Sequence, residues 1–403
     1  MPVSRDNTGG WPAIQFETLP WEINEGIPSS RSALRQHRGP YNAAVLSPIA
    51  DRDLFLPPDL IAEVEDVSNE LARFDAELGH EITPFSSVLL RSESAASSKI
   101  ENLTASARSI AEAELLSHGR SNASLIVSNA RAMTSAIALA NHIDAQAILE
   151  MHAELLKASA SDIAGRWRDE QVWIGGSDLG PHNAMFVPPH HRHIPGAIDD
   201  LLAYIDRDNI PVLVHAAIAH AQFETIHPFA DGNGRTGRAL IHALLRNKKL
   251  TRNVTVPISA GLLANTDGYF DALNHYQGGN PIAIVEQITR ASFAAVANGR
   301  RLVGDLRTVR ADWQEVVKAR RATNTWRIAD LLLAHPVVNA SFISEQLSIP
   351  KSNIYRSIVP LIDAGVLVEF TDSRRSKVWR APQVLRALDD FAARSGRRKR
   401  ATT

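Results

Sequence analysis

From Asp59 the apolar residues Leu60, Ile61, Val64, Val67, Leu71, Phe74 and Leu78 recur at three- and four-residue steps, the spacing of one face of an α-helix that Gly79 can end. The same periodicity predicts helices over 85–103, 123–140, 144–156, 198–205 and 212–225, and again over 265–276 and 281–296. It breaks between Gln171 and Pro188, where the β-prone runs QVWIGG and AMFVP flank the turn-rich SDLGPHN; this predicts a β-hairpin. Residues 1–57 show no sustained period and are rich in Pro, Gly and Trp, so they read as an irregular arm that packs its aromatics onto a neighbour.

From Thr323 the order changes to helix (326–334), short helix (343–347), the turn SIPKS, a longer helix (352–364), then VLVEF, the polar turn TDSRRS and KVWRA. Two helices about a tight turn, followed by strand, turn and strand, predict a winged helix-turn-helix. Charge sets this end apart. Residues 321–403 hold 14 Lys and Arg against 7 Asp and Glu, a net +7, while the rest of the 403-residue chain is at −8. The expected organisation is therefore an arm (1–57), a mainly α-helical body (58–320), a winged helix (321–395) and a basic tail (396–403).

Composition narrows the chemistry. Cys is absent, which excludes disulfides, thiol nucleophiles and Cys-ligated zinc. No stretch approaches the roughly 18 apolar residues of a membrane span, and the start MPVSRDNTGG lacks a charged segment followed by an apolar one, so a cytoplasmic location is expected.

The chemistry concentrates in HPFADGNGRTGR, residues 227–238. Gly232, Asn233 and Gly234 allow a turn with converging N–H groups, and the helical run ALIHALL behind them puts that turn at a positive helix end, an anion cradle. Arg235 and Arg238, three apart on one side of the first turn, can hold phosphate oxygens with their forked guanidinium groups. Asp231 is a hard oxygen ligand suited to Mg²⁺ beside phosphates. His227, with an unperturbed pKa of about 6.5, is a candidate general base for a hydroxyl. Other histidines read more plainly: His190, His191 and His193 as a solvated loop, and His215 and His220 as packing residues.

The stretch matches HxFx[DE]GNGRxxR, and on it the chain resembles the Fic family over about residues 40–300. The resemblance implies transfer of AMP from ATP to a Tyr, Ser or Thr hydroxyl of a target protein, with pyrophosphate released. By position, His227 would be the base, Asp231 the Mg²⁺ ligand, Gly232, Asn233 and Gly234 the cradle, Arg235 and Arg238 the β- and γ-phosphate ligands, and Phe229 the loop's anchor in the core. RDEQVWIGG with AMFVPP resembles the family's flap, in which Ile174, Gly175, Gly176 and Phe186 would dock a target strand. GYFDALNHY resembles the segment that closes over the base, with Tyr269 as the adenine contact. SSKIEN, through Ser97, Glu101 and Asn102, resembles the family's inhibitory motif, whose Glu would pair with Arg238 and fill the γ-phosphate position.

The C-terminal unit resembles winged helices appended to Fic proteins. Lys351, Ser352, Asn353, Tyr355 and Arg356 with Arg374, Arg375 and Lys377 could meet DNA. Winged helices also bind proteins or pair with themselves, so a homodimer stands beside DNA as a partner. Two further functions remain open at this point: removal of AMP from a modified protein, with Glu101 positioning water, and a DNA-binding regulator whose Fic part senses nucleotide or modifies only itself.

Overall fold

Apolar stripes become helices along most of the chain in the computed structural model, which describes residues 10–22, 30–79, 82–116, 121–320, 323–370 and 377–396. The chain begins with β1 (Gln15–Leu19), α1 (Arg31–Gln36) and β2 (Tyr41–Val45), then α2 (Pro58–Leu78), α3 (Ile82–Ile100), α4 (Ala107–Leu116), α5 (Asn122–Ala138) and α6 (Ala145–Leu156). It continues through α7 (Ile194–Ile205), α8 (Val212–Ile226), α9 (Asn233–Asn247), α10 (Ile258–Leu262), α11 (Thr266–Gln277) and α12 (Ile282–Val316). The last part comprises α13 (Asn324–Ala334), β3 (Val337–Asn339), α14 (Ala340–Leu347), α15 (Lys351–Asp363), β4 (Val368–Glu369), β5 (Val378–Arg380) and α16 (Pro382–Ser395). No helix among the described residues is long and apolar enough to cross a membrane.

The residues pack as two units. The first comprises Met1–Val64, Ser135–Asn247 and Asp267–Ile288, and the second Glu65–Thr134, Lys248–Thr266 and Thr289–Thr403. In the first, α8 is apolar or small all round, with Leu213, Val214, Ala217, Ile218, Ala221 and Phe223 buried, which suits a helix enclosed by others. It packs against α7 and α9, and α6 packs against α9 in turn. Asp144 starts α6 by accepting the N–H of Ala147 at 2.7 Å, one of the donors a helix N-terminus leaves unpaired.

The N-terminal arm is not irregular. β1 and β2 pair antiparallel from Gln15↔Val45 to Leu19↔Tyr41, and the Ala44 N–H donates to the Val187 carbonyl at 3.0 Å. Paired strands this short carry too few residues to establish a period, and tertiary pairing decides them. The arm's aromatics do find neighbours in this unit: Trp21 lies edge-on to Tyr41 and Trp173, and Trp11 against Tyr276.

In the second unit α3 buries Val88, Leu89, Ala96 and Ile100, and its Ser94, Ser97 and Ser98 are buried too. The Asn129 amide of α5 donates to the Ser94 carbonyl and to the Ser98 hydroxyl, tying α5 to the end of α3. α12 runs past the expected end at residue 296 because Leu302, Val303, Leu306 and Trp313 extend its buried stripe. After α12 come α13, β3, α14 and α15, then an antiparallel sheet of order β3-β5-β4 in which Val337 and Val368 both face Arg380. β3 and α16 go beyond the sequence expectation; α16 starts at Pro382 and buries Val384, Leu385 and Phe391.

Candidate active site

The site is the connection between α8 and α9. His227 caps the C-terminus of α8 in the left-handed region (φ 50), donating its N–H to the Phe223 carbonyl. The chain then doubles back, and α9 opens at Asn233. Asn233 closes the loop on itself: its side chain accepts the Phe229 N–H and donates to the Phe229 carbonyl, both at 2.8 Å. Gly232 has φ 78, and a Cβ there would stand 2.8 Å from Leu155 Cδ2, so both backbone and space require glycine. Phe229 is fully buried, as expected of an anchor.

These constraints place the first N–H groups of α9, which have no acceptor within the helix, at one end of a concave loop. Arg235 and Arg238 are buried on the same side of α9. Guanidinium groups beside a helix N-terminus can take the oxygens of an anion, and Arg235 already lies within reach of the Asp231 carboxylate. Asp231 is mostly exposed; its Oδ1 accepts the Gly232 N–H at 2.6 Å and lies 3.3 Å from Arg235 Nη2.

Burial, helped by the Arg168 cation, lowers the pKa of His227 to about 4, against smaller opposing effects from the Glu224 carbonyl and Asp231. Its ring is therefore neutral at ordinary pH, the state a proton acceptor needs. The unperturbed value of about 6.5 thus does not carry over into the folded chain.

Two residues that sequence reasoning passed over hold this loop. His152 on α6 is fully buried, accepts the Gly165 N–H at Nδ1 (3.0 Å) and so donates from Nε2 to the Asp231 carbonyl (3.0 Å). Its ring stacks on Phe229 at 3.6 Å, and Trp167 stacks on Phe229 at 4.9 Å. Arg168 donates its own N–H to the Pro228 carbonyl, Nε to the His227 carbonyl, Nη1 to the Glu170 carbonyl and Nη2 to the Pro189 carbonyl. The available signals were a His on the apolar face of residues 145–156 and the Arg that opens the flap segment RDEQVWIGG.

The flap is narrower than a two-stranded hairpin. Ile174 donates to the Phe186 carbonyl at 2.8 Å and accepts from Met185 and Phe186, a single antiparallel bridge; a second bridge joins Ser177 and Gly180. Gly175 and Gly176, both at positive φ, turn the chain out of the extended region directly after Ile174, and Pro188 and Pro189 end the other arm. Ile174 is exposed and Phe186 is buried. Tyr269 requires a correction too: it is 1% exposed and its hydroxyl lies 2.8 Å from His220 Nε2, so its ring belongs to the core and is not open to a base. His215 and His220 are fully buried, as expected of packing residues. His193 meets Glu17, and no group of three or more His, Asp or Glu among the described residues could hold a metal by itself.

Ser97, Glu101 and Asn102 lie at the end of α3. The Leu103 N–H donates to the Ser98 carbonyl and the Asn102 N–H to the Lys99 carbonyl, while Asn102 takes φ 61: a Schellman motif with Glu101 as its C-cap. Asn at this left-handed position thus has a backbone cause. In the C-terminal part, Lys351 and Arg356 are exposed on α15, Arg356 donates to Asn353, and Lys377 pairs with Glu369 at 2.9 Å. Arg374 and Arg375 lie outside the described residues, as does the tail beyond Gly396.

Residues 142–245 match the model of the Fic/DOC family. A probable protein adenylyltransferase of Aquifex aeolicus is 33% identical over 133 residues, 31% of this chain and 39% of that protein. A protein adenylyltransferase of Caenorhabditis elegans is 33% identical over 101 residues, 24% of this chain and 18% of that protein. The chain thus matches well under half the length of either relative. Among solved structures, a Fic family protein from Desulfovibrio desulfuricans G20 superposes with a TM-score of 0.52 at 21% identity, over 81% of this chain and 97% of that one. The chain carries a Fic domain at residues 142–245, within a mainly helical fold that it shares with a Fic family protein.

Proposed function

We propose that the protein is an adenylyltransferase that transfers AMP from ATP to a hydroxyl side chain of another protein. The observation that carries this reading is a half-buried His227 at the end of α8, joined by one short loop to the N-terminus of α9, which bears Arg235 and Arg238. In the reaction, the target hydroxyl oxygen bonds to the α-phosphorus, the bond to pyrophosphate breaks, and the hydroxyl proton passes to His227. Arg235, Arg238 and the α9 N–H groups hold the charge of the departing phosphates; positioning and neutralisation are what phosphoryl-group transfer chiefly needs.

Asp231 fits a Mg²⁺ ion shared with phosphates. It is exposed, it is a carboxylate, and a single carboxylate completed by phosphate oxygens and water is a usual Mg²⁺ arrangement. The ion would supply further neutralisation of the phosphate charge. Asp231 Oδ1 already serves the loop, which leaves Oδ2 for the metal.

Glu101 is the proposed inhibitor, pairing with Arg238 in competition with the γ-phosphate. Its support is the rigid end of α3: a Schellman stop, with Asn129 binding Ser98 one turn before it. The arrangement from α13 to β5 supports a winged helix-turn-helix, and duplex DNA is its proposed partner through Lys351, Asn353 and Arg356. Binding that falls steeply with salt would support that partner, and salt-insensitive binding would point to a protein, a second copy included.

The test of the main reading is incubation of wild type, Glu101→Gly and His227→Ala with α-labelled ATP and Mg²⁺ in host lysate. Labelled protein bands with wild type, stronger with Glu101→Gly and absent with His227→Ala, are expected. If Glu101→Gly instead loses an AMP-removing activity, that residue serves hydrolysis; specific operator binding with no labelled protein would favour a regulator.

A further inference from the structure

We propose that His152 and Arg168 are positioning residues for the reaction, each keeping a carbonyl of the 227–232 loop turned into the protein and away from the nucleotide. The activity part of this inference rests on the adenylyl-transfer reading; the structural part does not.

A glycine-containing loop can rotate a peptide plane at little steric cost, and each rotation carries a C=O to the opposite side. In an anion cradle such a flip would set a carbonyl dipole against phosphate charge, so the carbonyls must be tied elsewhere. For five of the six, Ala230 excepted, the partners can be named in order. Arg168 takes those of His227 (2.9 Å) and Pro228 (3.0 Å), Asn233 that of Phe229, His152 that of Asp231, and the Thr236 N–H that of Gly232. Asn233 and Thr236 belong to the loop and its helix. Only His152 and Arg168 reach in from other segments, one at each end of the loop.

Both are built for the task. The His152 ring has its two nitrogens committed, Nδ1 to the Gly165 N–H and Nε2 to the Asp231 carbonyl, which fixes its tautomer; stacking on Phe229 fixes its plane. Arg168 is 5% exposed, and its guanidinium is spent wholly on backbone carbonyls: His227 in the loop, and Glu170 and Pro189 where the flap's two arms begin and end. The same side chain therefore sets the height of the base and the footing of the flap.

Two variants separate the donor from the ring. His152→Phe keeps a ring to stack on Phe229 and removes the N–H; His152→Gln removes the ring and restores a donor. The full chain is followed by amide hydrogen exchange over residues 227–236, with ATP affinity, labelling rate and melting temperature beside it. The expected result is that His152→Phe speeds exchange in this loop and lowers the labelling rate at saturating ATP, each by about tenfold or more. ATP affinity should change less than the rate, and His152→Gln should lie closer to wild type than His152→Phe. Arg168→Lys, which keeps the cation and loses the fork, should loosen residues 227–229 and 170–174 together.

Exchange and rate in His152→Phe within about twofold of wild type would overturn the proposal, as would His152→Gln being the worse variant. So would a melting point lowered by about 10 °C or more with exchange raised evenly through α6, α8 and α9, since that marks a residue that holds the fold and not the loop. If Glu101→Gly labels no protein at all, the adenylyl-transfer reading fails, and the exchange pattern still decides whether these residues position the loop.

Discussion

His227 must be unprotonated to take a proton, and the cation beside it opposes a further positive charge. Burial and the Arg168 cation settle this by lowering its pKa to about 4. A neutral base that weak suits a reaction whose hydroxyl loses its proton late, as in a loose phosphoryl transition state. Its activity requires the neutral ring, so activity is lost as pH falls through the folded pKa. The acid limb of the labelling rate should thus lie near pH 4 to 5, with little change between about pH 6 and 8. A limb near 6.5, measured at limiting ATP so that the free enzyme is read, would place the ring in water. His227→Ala should lower the rate by about 10² to 10⁴ while ATP affinity stays within a few-fold.

At this scale the site was largely legible. Gly232, Asn233, Arg235 and Arg238 could be read because phosphate chemistry demands those residue types within a few positions of one another. His152 could not, because its partners Asp231 and Phe229 lie far along the chain and a lone His on an apolar stripe carries no spacing signal. Tyr269 misled for the same reason: its partner is His220 across the core, and nothing in GYFDALNHY reveals that the hydroxyl is taken.

Among the elements, helices followed from periodicity, while short strands and the flap did not. One bridge at Ile174 is all the regular pairing the flap retains there, and its two faces differ: Ile174 is exposed, Phe186 buried. Ile174→Ala should therefore lower protein labelling by about tenfold with ATP affinity and melting point unchanged, since strand addition aligns the target alone. Phe186→Ala should also lower stability, by about 3 to 5 kcal/mol if the site does not collapse. Equal losses of nucleotide affinity in Ile174→Ala, measured by equilibrium binding, would contradict a docking role.

The end of α3 is the second element with a stated consequence. Asn102 holds φ 61, where a β-branched residue is strained by about 1 to 2 kcal/mol and glycine is not. Asn102→Gly should leave the labelling rate near wild type, whereas Asn102→Val should fray the cap that presents Glu101 and raise the rate toward that of Glu101→Gly. A labelling comparison of the three variants checks this, and Asn102→Val at the wild-type rate would mean that the cap does not control Glu101.

For the whole molecule, buried histidines tie stability to pH. His152, His220 and His227 in the first unit and His335 in the second have pKa values lowered by burial to about 4, 3, 4 and 4. Unfolding frees each to bind a proton near pH 6.5, so the unfolded chain gains protons that the folded chain refuses. Stability should be level above about pH 7 and fall as pH drops from about 6.5 toward 4, by up to about 1.4 kcal/mol per pH unit for each histidine. Urea unfolding at pH 7 and pH 5 should show the first unit losing more than the second. A flat profile would mean that these rings are hydrated.

Adenylyl transfer breaks the bond between the α- and β-phosphates, and parallel labelling with α- and γ-labelled ATP reads that cleavage directly. With Glu101→Gly protein, Mg²⁺ and host lysate, label from the α-phosphate should become covalently bound to protein, label from the γ-phosphate should leave with pyrophosphate, and adding His227→Ala should abolish the first. Label arriving from the γ-phosphate, or α-label undiminished by His227→Ala, would contradict it.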